Sequence, residues 1–155
     1  MVAEFSPEFI MDHYAVREVL EGLAARLAAH NATELELMQL TVELEAMARA
    51  SKANDLEQLA HRNADFYLLI AKASRNVVVT ELLTILQDRL RLLRDFNFRA
   101  TGRRDEALRE QRSLLTAIEA RDADKAEQFA KSLVGNARQA RLSALGASRL
   151  ATRSS

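Results

Sequence analysis

Apolar side chains return along this chain at steps of three and four residues, the spacing that gathers them on one face of an α-helix. The first such stretch opens at Ser6-Pro7, with Ser6 as N-cap, Pro7 at the first helical position and Glu8 near the positive end of the helix dipole. It runs to about His30 on a stripe of Ile10, His13/Tyr14, Arg17, Leu20, Ala24 and Leu27, which sets Arg17 on or beside the buried face. Asn31 ends it. Thr33-Glu34-Leu35-Glu36 is a capping box opening a second helix with Leu37, Leu40, Leu44 and Met47 inward. Asn54-Asp55-Leu56-Glu57 repeats the device with Asn54 as cap of a third helix, which Ser74-Arg75-Asn76 breaks. The pattern predicts a fourth helix from Val77 to about Phe98, with Leu82, Leu86, Leu90 and Leu93 inward and Arg89, Arg91 and Arg94 around the flank. After an Ala100-Thr101-Gly102 loop, a fifth spans Arg104 to Arg121 on Leu108, Gln111, Leu114/Leu115 and Ile118. Asp122 caps a sixth, carrying Ala126, Phe129/Ala130, Leu133 and Ala137. Beyond Gly146 no stripe is visible, and a disordered tail over 147–155 is expected.

Short connections between these helices predict antiparallel neighbours, so the expected fold is an all-α, antiparallel bundle of about six helices. In the third helix Leu59, Asn63, Phe66, Tyr67 and Ile70 share one inward face, so an amide and a phenol stand a turn apart among buried side chains. Buried polar groups must be hydrogen-bonded or lose roughly 1–3 kcal/mol each. Asn63 and Tyr67 therefore belong either to a satisfied internal network or to the wall of a cavity.

Composition sharpens this picture at a few points. With 155 residues, one proline and four glycines, the chain is most simply one helical domain able to bury a sizeable core. Acidic and basic residues balance at 22 each, which argues against a large nucleic-acid footprint on this chain. Lys131, Arg138, Arg141, Arg149 and Arg153 follow Glu127 with no acid between, and read as a solvated basic end. Cysteine is absent, and no apolar run reaches the length of a membrane helix, so a cytoplasmic protein without disulfides is expected. The 3 histidines, His13, His30 and His61, share no ligand spacing and read as surface or helix-end residues. No nucleophile elbow, phosphate loop or Glu-x-x-His pair occurs, so an enzyme is not expected.

Four segments, in this order and spacing, resemble the C-terminal ligand-sensing (FCD) domain of FadR-type GntR transcription regulators. They are Tyr14-Ala15-Val16-Arg17-Glu18-Val19-Leu20-Glu21; Asn63-Ala64-Asp65-Phe66-Tyr67 with Ala71-Lys72-Ala73-Ser74-Arg75-Asn76; Glu106-Ala107-Leu108-Arg109-Glu110-Gln111-Arg112; and Ala117-Ile118-Glu119-Ala120-Arg121-Asp122-Ala123. The resemblance covers about Phe5 to Gln139. It implies an interdomain-linker remnant over 1–8 and an effector-binding and dimerisation domain over 9–146, normally dimeric, with small organic acids held in a central cavity. DNA binding would need the family's N-terminal winged helix, which this sequence does not carry; the chain is either a fragment or a stand-alone sensor.

Many members of the family hold a divalent metal with an Asp or Asn, a His one turn later, and one His from each of two later helices. Those positions correspond to Asn63, Tyr67, Gln111 and Leu133, so no imidazole is kept and no metal or other cofactor is expected. A metal-free sensor of a small organic acid is thus the reading of the sequence, with Arg17 as the anion partner, Asn63, Tyr67, Gln111 and Leu133 around the ligand, and Arg89 as a weaker candidate. Arg17 has a simpler alternative, an ion pair with Glu21 one turn on. For the domain as a whole the alternatives are a structural or dimerisation module whose cavity has closed, and a binder of an acyl-CoA-type ligand.

Overall fold

The structure, a computed structural model, describes residues 6–90 and 101–153, leaving aside the side chains at 101 and 147–152. It contains α1 (Pro7–Asn31), α2 (Glu34–Lys52), α3 (Leu56–Ala73), α4 (Val77–Leu90), α5 (Thr101–Glu119) and α6 (Ala123–Arg153). Helix α1 is central and packs on α3, α4, α5 and α6, while α2 covers α3 and α5. The α1–α6 pair is antiparallel: Arg26 bonds Asp124 and Glu127, Gly22 lies against Lys131, and Glu18 meets Arg138.

Local signals explain most helix ends. Ser6 Oγ accepts from the Phe9 amide, Thr33 and Glu36 exchange the two bonds of a capping box, and Asp122 Oδ1 accepts from the Lys125 amide. Each satisfies amides that the first helical turn leaves without partners. The tight corners use side chains other than glycine in the left-handed region: Asn54 (φ 54°), Arg75 (φ 59°) and Arg121 (φ 59°). That conformation is unfavourable for an arginine. Both arginines have compensating bonds, since Arg75 grips the Glu36 carboxylate at 2.7 and 3.0 Å and Arg121 donates to the Ala29 carbonyl at 3.3 Å. The two side chains thereby tie the far corners of the bundle to the α1–α2 corner.

Several boundaries differ from the expectation. The cap of α3 is Asp55, whose carboxylate accepts from the Gln58 amide; Asn54 instead takes the left-handed turn closing α2, which its short polar side chain tolerates. Thr101 and Gly102 lie in α5 rather than in a loop, and Ala100 is outside the described residues. Helix α6 continues to Arg153, past Gly146, because Ala, Leu and Arg on either side hold the helix through one weak position. On α4 the inward stripe is Val79, Leu83, half-buried Leu86 and Leu90, not the one through Leu82, which is 43% exposed against 1% for Leu83. Arg91, Leu93 and Arg94 fall outside the described residues.

The core has two parts. A large cluster runs from Ala24 and Leu40 through Leu59, Phe66, Ile70 and Leu83 to Leu114, Ile118 and Ala130. A small one near the other end of the bundle joins Ile10, Tyr14, Leu90 and Val134. What lies between them is not apolar.

Candidate functional site

A cavity of about 60 Å³ occupies the junction of the two clusters. Tyr14 and Leu90 of the small cluster form one side; Tyr67, Ala107 and Leu133 of the large one form the other. Into it come His13 and Arg17 from α1, Asn63 from α3, Arg103 and Gln111 from α5, and Arg141 from α6. Five of the six site residues expected from sequence, Arg17, Asn63, Tyr67, Gln111 and Leu133, line this one cavity. Arg89 does not: it sits on the exposed flank of α4, one position away from the inward Leu90.

The amide of Gln111 bridges α5 and α3. Its Nε2 donates to Asn63 Oδ1 at 2.6 Å and reaches Tyr67 Oη at 3.4 Å, while its Oε1 is buried without a partner. Burial pushes the Tyr67 phenol up to about 12, so it stays protonated at neutral pH. Arg17 lies between two rings, its guanidinium carbon 5.6 Å from the centroid of Tyr14 and 5.5 Å from that of Tyr67. Its Nε donates to Glu21 at 3.4 Å, the ion pair given above as the simpler alternative, and this is its sole hydrogen bond among the described residues. Among the described residues its terminal Nη groups make no hydrogen bond, and the side chain lines the cavity.

Among the lining residues the sequence reading did not place at the site are Tyr14, His13, Arg103 and Arg141. His13 is buried rather than on the surface; its Nε2 faces the Leu86 carbonyl at 3.0 Å, so Nε2 carries the proton, and the partnerless Nδ1 offers a lone pair. Burial holds this imidazole below its ordinary titration range. Arg103 forms a two-pronged pair with Glu110 at 3.0 and 3.1 Å, and Asn136 donates to the same carboxylate at 2.9 Å. Arg141 belongs to the cavity wall and not to a solvated tail, and Lys131 and Arg138 are also engaged, with Glu127 and Glu18. Arg141 stands seven residues after Val134 and four after Ala137, so it continues the buried stripe of α6, a signal the sequence did contain.

The donor set does not suit a metal ion. Asn63 Oδ1 is taken up by an amide donor, the Tyr67 phenol stays neutral, Gln111 is an amide and Leu133 has no donor atom. His13 is a lone imidazole, and no three His, Cys, Asp or Glu side chains among the described residues are grouped to hold an ion.

A cavity lined by polar and charged side chains thus lies inside an all-helical bundle, the architecture of a regulatory ligand-sensing domain. Residues 12–136 match the FCD domain model, and the chain belongs to that family, whose domain is a sensing module rather than a catalytic one. Over 140 residues it is 29% identical to the galactonate operon transcriptional repressor of Escherichia coli K12, covering 86% of this chain and 58% of that protein. Over 85 residues it is 36% identical to the Glc operon transcriptional activator of the same organism, covering 53% of this chain and 34% of that one. The chain thus spans roughly a third to three-fifths of the length of these curated relatives. Among solved structures it superposes on E. coli McbR/YncC with a TM-score of 0.80 at 24% identity, over 88% of this chain and 65% of that one. The metal-free FCD domain of TM0439 gives a TM-score of 0.76 at 20% identity, over 94% of this chain and 99% of that one. At these identities the superpositions establish the shared fold. No described helix is long and apolar enough to cross a membrane.

Proposed function

We propose that this domain senses a small hydroxy acid without a metal ion, as the effector-binding and dimerisation part of a transcription regulator. One observation carries the reading: Tyr14 Oη, His13 Nδ1 and Gln111 Oε1 are buried without partners, and all three residues line the cavity that Arg17 enters. Leaving such atoms unpaired costs about 1–3 kcal/mol each, so the site is built to be filled by something polar. Arg17 supplies donors for a carboxylate, while His13 Nδ1 and Gln111 Oε1 accept from a hydroxyl. Carboxylate plus hydroxyl is the complement of that set.

The volume favours a short ligand. The cavity of about 60 Å³ is several times the roughly 10–15 Å³ that a single water-sized sphere requires, which suits a small acid. An acyl-CoA-type ligand finds no such space here, and the orphaned polar atoms speak against a closed, purely structural interior. Both named relatives are regulators, one of an operon named for a sugar acid, which supports the acid class. Thermal-shift titration with glycolate, lactate, galactonate and their deoxy counterparts tests the proposal. Hydroxy acids should raise Tm, most for the shortest; no shift with any acid would overturn it.

The dimer is part of the same reading. Val78, Leu82 and Ile85 stand out to solvent along one side of α4, at helical spacing, and Val16 and Val19 do so on α1, which packs beside it. A second copy of this chain is the occupant we assign to that seam, and it would link the sensing cavity to an attached DNA-binding domain through the arrangement of two protomers.

A further inference from the structure

Glu21 is a buried carboxylate for which the binding scheme above has no use. It is 2% exposed, one turn from Arg17 on α1, and its attachment to the guanidinium is a single 3.4 Å contact through Nε. That grip is loose beside the two-pronged Arg103–Glu110 pair at 3.0 and 3.1 Å. The groups around the Arg17–Glu21 pair are Tyr14 and His13 on the same helix, the latter electrostatically linked to Arg17, and Tyr67 on α3, with Glu110 of α5 acting on Tyr67 from farther off. On α6, Lys131 and Glu127 flank the neighbouring Gly22 but pair with each other. Arg17 is the one cation acting on Glu21 among these.

Resting on the hydroxy-acid reading of the cavity, we propose that Glu21 is a built-in competitor of the effector: ligand carboxylate and Glu21 contend for the Arg17 guanidinium, and Glu21 takes up a proton when the ligand wins. The physical reason is charge balance in a dry place. Two carboxylates on one guanidinium leave a net negative charge without water to solvate it. The carboxylate with the weaker grip neutralises, and burial already pushes Glu21 toward its protonated form. The proton comes from solvent and goes to a Glu21 oxygen; no covalent bond in the ligand changes. Glu21 would thus set both the affinity and the pH dependence of sensing.

The test is calorimetric titration of the protein with glycolate at several pH values, each in two buffers of different ionisation enthalpy. Near neutral pH the proposal expects uptake of up to one proton per ligand, and affinity that rises about tenfold for each unit of pH decrease in the range where free Glu21 is ionised. In Glu21→Gln the uptake should vanish and glycolate should bind at least about tenfold more tightly at alkaline pH, since an amide no longer competes for the charge. Binding to the unsubstituted protein without proton uptake, or uptake that persists in Glu21→Gln, would overturn the role of Glu21 while leaving the sensor reading intact. No binding by either protein would remove both. Absence of uptake by the unsubstituted protein overturns the role of Glu21 even if Glu21→Gln does not fold, and uptake that persists in His13→Gln separates Glu21 from the imidazole in the same cavity.

Discussion

Gln111 on α5 and Asn63 on α3 are joined by a 2.6 Å hydrogen bond in which glutamine donates, and the carbonyl of the same glutamine is left facing no protein partner. One amide therefore both spans the bundle and presents an acceptor in the cavity. Gln111→Leu removes the bridge and the orphaned oxygen but leaves Asn63 Oδ1 and Tyr67 Oη without that donor, so stability should fall by about 1–3 kcal/mol, the cost of a half-buried polar group left unpaired. Hydroxy-acid binding should fall at least about tenfold, a loss of about 1.4 kcal/mol. Chemical denaturation and thermal-shift titration read the two effects. A large loss of stability with unchanged binding would make the glutamine a structural brace.

Replacing Tyr67, Gln111 and Leu133 by histidine together should create a metal site beside Asn63, since all four positions line the one cavity. The triple variant is expected to bind Zn²⁺ or Ni²⁺ stoichiometrically and to gain several degrees of Tm with the ion present. The unsubstituted protein should show no such shift. Equal metal binding by both proteins would mean that another set of ligands is at work.

The phenol of Tyr67 should set an alkaline limit on stability. Its folded value of about 12 lies above the ordinary 10.0, so between these pH values the unfolded chain loses the proton and the folded one keeps it. The folded state then binds more protons, and stability falls as pH rises through the window, by up to roughly 3 kcal/mol in total. Tyr67→Phe should flatten the curve there, measured by denaturation at stepped pH.

His13 should act at the other end. Burial keeps its folded value below the ordinary 6.5, so the unfolded state takes up the proton first. Stability is then full above pH 6.5 and declines as pH falls below it. His13→Gln can still donate to the Leu86 carbonyl but does not titrate, so its stability should vary less between pH 7 and pH 5.

For the dimer, Leu82→Glu and Ile85→Glu should each shift the protein toward monomer in light scattering while circular dichroism stays helical, because both side chains are solvent-facing within one protomer. Unchanged dimer mass would move the interface elsewhere.

How legible all this was depended on range. Caps at Ser6, Thr33 and Asp122 were readable because each is completed within three or four residues. The register of α4 was not, since Leu82 and Leu83 are neighbours of the same type, and the choice between them rests on how α1 and α3 approach. In the cavity, Asn63, Tyr67 and Gln111 stood out as polar side chains on apolar stripes. Arg103 and Arg141 did not, because an arginine on a helix is ordinarily solvated and their places in the wall depend on other helices. His13 was misread because Leu86, whose carbonyl fixes its proton, is 73 residues away.

The pairing of α1 with α6 has a consequence for how the protein is made. Within this domain α1 is synthesised before the other five described helices, yet the helix that sets Val134 and Lys131 against Ile10, Tyr14 and Gly22 is the last of the six. Until then α1 can pack on α3, α4 and α5 but lacks its largest partner, so the domain can complete its interior only after synthesis has passed α6.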